Sequence, residues 1–152
     1  MATDKPVTVQ TSSHVVHSLE ETSLLAAKLL PKLIKSGVVS LEGPLGAGKT
    51  HFVKALACAM GITEEVTSPT FTLMNSYGTG ELCLNHSDWY RLESEEEILA
   101  LGLEDYYGEG LMIIEWGNKF PRLLPPSVIR IGIELLPDES RVFTCSSTIP
   151  QS

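Results

Sequence analysis

Residues 43–50 read Gly43-Pro44-Leu45-Gly46-Ala47-Gly48-Lys49-Thr50 and fit the pattern GxxxxGK[ST] throughout. Such a segment constrains the fold because it works only between a strand and the start of a helix. Its glycines let the backbone turn so that successive N–H groups face inward at phosphate oxygens. The helix that follows adds the positive end of its dipole at the same point. Both flanks agree. Val38-Val39-Ser40-Leu41 reads as a buried strand, and Lys49–Met60 as a helix with Phe52, Leu56 and Met60 on one side and Gly61 as its stop. From average residue usage, the pattern arises by chance in roughly one chain of this length in two hundred. Lys49 is expected to reach the β- and γ-phosphates of a nucleotide, and the Thr50 hydroxyl to ligate Mg2+.

The rest of the chain follows the same architecture. Ser18 followed by Glu21 forms a capping box that opens a helix carrying Leu24, Leu25, Leu29 and Leu33, which Pro31 is expected to kink or end early. Lys28, Lys32 and Lys35 share one face of it, as a solvated face or a docking surface for an acidic partner. Thr70–Tyr77 and Glu81–Asp88 read as strands joined at Gly78-Thr79-Gly80, and Ser94 with Glu97 caps a second, short helix. Leu111-Met112-Ile113-Ile114 is apolar throughout, as a central parallel strand is. Ile129, Ile131, Ile133 and Leu135 alternate along a strand, a short strand falls around His14–Val16, and Arg141–Cys145 forms the last. The expected class is α/β: a three-layer, P-loop NTPase-like fold with a mainly parallel central sheet plus antiparallel strands. Residues 1–152 form one domain, with 1–12 and 147–152 expected as flexible termini.

Charge narrows the function. Eleven basic against nineteen acidic residues leave −8, the wrong sign for broad contact with a phosphate backbone. A nucleic-acid pathway would have to be served through a protein partner. Three cysteines without a CxxC pair fit a reducing compartment, and no apolar leader is visible at the N-terminus. The longest apolar run, Ala55–Met60, has six residues, against ~18 for a membrane span. The expected location is cytoplasmic, with no membrane contact.

A site of this kind also needs acids for Mg2+ or its water, at the C-terminal ends of neighbouring strands. Glu115 ends the 111–114 run, and Asp88 ends the strand before it. Asn118-Lys119-Phe120 begins like the guanine-reading NKxD motif, but Pro121 stands where the aspartate belongs, so ATP is the expected nucleotide.

Four segments together then resemble one family: the loop at 43–50, Thr67-Ser68-Pro69-Thr70-Phe71-Thr72-Leu73, His86-Ser87-Asp88-Trp89-Tyr90-Arg91-Leu92, and Glu115-Trp116. In this order they look like the bacterial TsaE (YjeE) family, the ATPase component of the machinery that makes threonylcarbamoyladenosine at adenosine 37 of tRNA. The resemblance implies ATP and Mg2+ as ligands, TsaB and TsaD as protein partners, and tRNA only indirectly. It implies that Gly43 to Thr50 bind phosphates, with Thr50, Asp88 and Glu115 at the metal. Thr70 would sense the γ-phosphate from a switch-like loop, Trp116 would lie beside the nucleotide, and Arg141 and Thr22 would stand near it. The chain departs from the family's habit at Ser87, where a hydrophobic residue is usual, at Trp89, where leucine is frequent, and at Ser140, where glycine precedes the arginine.

Two other functions remain open at this stage. A small-molecule kinase would need an acceptor pocket and a lid with clustered arginines, and a non-catalytic scaffold would hold ATP without turning it over.

Overall fold

The computed structural model describes residues 7–44, 46–69, 73–78, 83–106, 108 and 110–150. Seven strands form one sheet: β1 Val7–Val16, β2 Val38–Glu42, β3 Met74–Tyr77, β4 Leu84–Asp88, β5 Leu111–Glu115, β6 Ile129–Leu135 and β7 Arg141–Pro150. Their spatial order is β1-β7-β6-β2-β5-β4-β3. The central strands β4, β5, β2 and β6 run parallel, while β3 and the β7–β1 pair add antiparallel edges. This is the mixed α/β sheet expected from the pattern.

Alternation along the strands builds the layers. On one face Val39, Leu41, Ile113, Ile131, Ile133 and Phe143 pack against two helices, α1 (Leu19–Ser36) and α2 (Lys49–Ala59), through Leu25, Leu29, Leu33, Phe52 and Leu56. On the other, Val38, Met112 and Ile114 meet Trp89, Leu92, Ile98 and Leu103, the last two from the short helix α3 (Glu95–Leu99) and the 3-10 turn Leu103–Tyr106. Phe52 and Phe143 join helix to sheet with ring centroids 5.1 Å apart.

Both capping boxes form. The Glu21 N–H donates to Ser18 Oγ at 3.1 Å and Glu97 N–H to Ser94 Oγ at 3.3 Å. The Glu21 carboxylate in turn accepts from His17 N–H at 3.1 Å. Of the two outcomes expected at Pro31, the early end does not occur: the helix runs on to Ser36 and closes where the Gly37 N–H bonds Leu33 O at 2.9 Å. Pro31 lies on the exposed face, where water can serve the carbonyl it leaves unpaired, and buried Leu29 and Leu33 hold the turns on either side. Lys28, Lys32 and Lys35 are all exposed.

The ends differ from expectation too. Residues 7–12 and 147–150, expected as flexible termini, belong to a ten-residue antiparallel ladder from Val7↔Pro150 to Val16↔Arg141. Their alternation is masked by serines and threonines, so only the backbone pairing reveals the strands. Leu135, at the end of β6, is exposed rather than core. The turn between β3 and β4 falls partly on residues 79–82, outside the described residues. Among the described residues no helix is long and apolar enough to cross a membrane.

Parallel pairing has one consequence for chemistry. The C-terminal ends of β2, β5 and β4 lie side by side, with Leu41 opposite Glu115 and Glu115 opposite Asp88. The loop after β2 therefore opens over the two acids that end its neighbours.

Candidate active site

The loop from Gly43 into α2 has the backbone its sequence demands. Gly46 and Gly48 adopt left-handed φ angles of 82° and 103°, which other residues rarely reach. Gly48 sits at the N-cap of α2 without a side-chain cap, so the first N–H groups of the helix remain available to an anion. Ala47 is buried beneath the loop, and its carbonyl accepts from Arg141 Nε at 2.8 Å. Arg141 thus fastens the loop to the start of β7.

Lys49 and Thr50 open α2 beside a cavity of about 280 Å³ lined by Gly46, Gly48, Lys49, Thr50, His51, Ser68, Asp88, Tyr90, Glu115 and Trp116. A larger cavity of about 430 Å³ lies elsewhere, where Arg130 is the one charged side chain among prolines, aliphatics and serines. The smaller one carries the reactive groups.

The Lys49 ammonium is held by the carbonyls of Gly43 and Pro44 and lies 4.5 Å from the centre of the Trp116 ring. Burial lowers its pKa, and the negative fields of Glu115 and Asp88 act the other way. Asp88 is pushed above its ordinary carboxyl range, first by burial and also by the nearby charge of Glu115. The Tyr90 N–H, which donates to Asp88 Oδ1 at 2.9 Å, opposes that shift, as do His86 and Lys49. Two carboxyls side by side are costly without a cation between them.

Glu115 is buried, and its Oε2 lies 2.6 Å from Nε2 of His86, which is fully buried. Trp116 follows in the left-handed region at φ 62°, a conformation that costs a bulky residue about 1–3 kcal/mol. Its ring neighbours both the Lys49 ammonium and Tyr90, whose ring centroid is 5.0 Å away. Gly117 is needed next, since a Cβ there would collide with the Ser40 side chain.

The structure thus brings together Gly46, Gly48, Lys49, Thr50, Asp88, Glu115 and Trp116 around one cavity, with Arg141 behind the loop. Thr22 is not among the cavity's lining residues: it is buried in α1, its hydroxyl bonded to Ser18 O at 3.2 Å. Leu45 and Thr70 lie outside the described residues, while Ser68 of the same segment lines the cavity. His51 also lines it, with Nε2 buried and without a partner among the described residues. No motif pointed to His51; its place beside Thr50 in the first turn of α2 was the available signal.

The donor set suits a hard cation. Among the described residues no three His, Cys, Asp or Glu side chains converge to hold a metal unaided. Two carboxylates and a hydroxyl opposite a phosphate-shaped loop match Mg2+, which usually takes one or two carboxylates and completes its shell with water and phosphate oxygens.

Comparisons with known proteins match most of the chain. The family model described as "Threonylcarbamoyl adenosine biosynthesis protein TsaE" matches residues 16–143. The Treponema pallidum protein named tRNA threonylcarbamoyladenosine biosynthesis protein TsaE is 42% identical over 131 residues, covering 86% of this chain and 96% of that one. A Bacillus subtilis protein of the same name is 44% identical over 127 residues, 82% of this chain and 78% of its own. The crystal structure of Bacillus subtilis YdiB superposes with a TM-score of 0.73 at 32% identity, covering 92% of this chain and 87% of that one.

Proposed function

Since the chain belongs to the TsaE family of tRNA threonylcarbamoyladenosine biosynthesis proteins, we propose that it is a Mg2+-dependent ATPase that resets the threonylcarbamoyl-transfer machinery. The observation that carries this reading is the meeting of Lys49 and Thr50 with Asp88 and Glu115 at one cavity, beneath a glycine loop that ends on a helix N-terminus.

In this reading the backbone of Gly43 to Thr50 cradles the ATP phosphates, and Lys49 leaves its two carbonyls for the β- and γ-phosphates. Thr50, Asp88 and Glu115 would hold Mg2+, which supplies Lewis-acid stabilisation of the charge that develops on the phosphate oxygens. Glu115 and Asp88 also orient the water that attacks the γ-phosphorus as the bond to ADP breaks. Arg141 keeps the loop in shape through Ala47 rather than touching phosphate. Thr70 senses the γ-phosphate, so that the 67–73 segment orders with ATP and loosens after hydrolysis. Pro121 in place of a guanine-reading aspartate favours adenine. A net charge of −8 is the wrong sign for gripping tRNA. The modification chemistry therefore belongs to the partners, TsaB and TsaD, and tRNA is served indirectly from the cytoplasm.

Phosphate release in the presence of purified partners tests the reading. The parent should turn over with Mg2+, and Asp88→Ala and Glu115→Ala should each lose about a hundredfold or more, as expected when aligned charge stabilisation is removed. Both should still bind ATP by calorimetry, because loop and Lys49 survive. Unchanged hydrolysis in both variants would make the acids strand-end surface residues.

A further inference from the structure

His86 takes no part in the chemistry above, yet it is placed where that chemistry depends on it. It sits two residues before Asp88 on the same face of β4, opposite Ile113, and so lies one pleat beneath the Asp88–Glu115 pair. It is fully buried, and its Nε2 meets Glu115 Oε2 at 2.6 Å. Its Nδ1 has no partner among the described residues. One oxygen of Glu115 is thus committed to an imidazole that has no other described use, and the other remains for the cavity.

We propose that His86 is a positioning residue that fixes the rotamer of Glu115 by donating from Nε2, so that the carboxylate presents its second oxygen to the cavity. A carboxylate can accept only where the ring carries a proton, so the bond requires hydrogen on Nε2. The arrangement has a physical reason. Glu115 is buried beside Asp88, and two neighbouring carboxyls tend to turn apart unless something holds them. A donor on the inner side holds Glu115 without placing a competing charged side chain in the cavity. Groups that orient metal-side ligands from behind are worth about 10–100-fold in affinity or activity. The proposal rests on Glu115 acting as proposed above, and its test separates the two ideas.

The experiment compares the parent with His86→Leu, His86→Gln and Glu115→Ala in the full chain with its partners. Steady-state ATP hydrolysis, ATP affinity with and without Mg2+, and thermal unfolding are measured together. Gln can place an amide N–H near the position of Nε2, whereas Leu fills the space without a donor. His86→Leu should lower kcat about 10–100-fold with little change in KM, and His86→Gln should recover most of it. Side-chain 15N spectra of the parent should show hydrogen on Nε2, and the resonance should move in Glu115→Ala. The proposal is overturned if His86→Leu keeps the parent's kcat, if Gln and Leu lose activity equally while both remain folded, or if Nε2 carries no proton. If His86→Leu fails to fold, Gln activity and the parent's spectrum decide. Should the parent itself fail to turn over, the ATPase reading falls. The positioning role is then read from the gain in ATP affinity on adding Mg2+, which Leu should diminish and Gln restore; an undiminished gain in Leu would overturn it.

Discussion

Lys49 is a buried cation waiting for a better partner than it has. Its ammonium rests on two carbonyls and over an indole, and burial already weakens its hold on the proton. Charge-assisted bonds to phosphate are worth about 1.5–3 kcal/mol, so Lys49→Ala should weaken ATP binding roughly 10–100-fold while leaving the fold intact. Calorimetry that finds parental affinity would refute the phosphate role. Asp88 gives the opposite signature. Its folded pKa lies above the ordinary 3.8, so the folded state holds its proton more tightly than the unfolded chain does. Stability is therefore lost as pH rises from 3.8 through the raised value, and the cost is constant above it. Ligand-free Asp88→Asn should be more stable than the parent at neutral pH, with the gap closing as both are acidified below 3.8. Urea titrations at two pH values check the sign, and a parent more stable at neutral pH would contradict it. Removing an acid to gain stability and lose activity is the pattern of a functional site.

Helix α1 carries a proline that its position tolerates but does not need. Pro31 is exposed and mid-helix, where proline costs about 3 kcal/mol relative to alanine, offset in part by about 1 kcal/mol from stiffening the unfolded chain. Pro31→Ala should raise stability by about 1–3 kcal/mol, read as a higher urea midpoint at unchanged slope; a lower midpoint would show that the proline shapes α1. The two caps and the strand–loop–helix unit were legible in the sequence because each is set by residues a few positions apart. Whether α1 ends at Pro31 or runs on past it was not, since that depends on Leu29 and Leu33 being buried by a sheet that lies elsewhere in the chain. The same holds for the outer halves of β1 and β7, beyond the legible strands at His14–Val16 and Arg141–Cys145, where serines and threonines interrupt the alternation and pairing makes the strands. In the site, the loop and both acids could be read from their places at strand ends. The hydrogen bond between His86 and Glu115 could not, because strand order joins residues 29 positions apart.

Across the whole molecule, parallel pairing gathers the ends of β2, β5 and β4 into one edge, and Lys49, Thr50, Asp88 and Glu115 hang from that edge or from the first turn of α2. The proposed function is accordingly a cycle of binding and release. The net charge of −8 points the same way, towards protein partners rather than tRNA. If hydrolysis resets the assembly, a variant that binds ATP without cleaving it should assemble normally and then stall. The direct test supplies TsaB, TsaD, tRNA, threonine, bicarbonate and ATP, and counts threonylcarbamoyladenosine formed per complex. The parent should complete many rounds, and Glu115→Ala should stop after about one, because an uncleaved γ-phosphate keeps the 67–73 segment engaged. Sustained turnover by Glu115→Ala at the parent's rate would contradict the account.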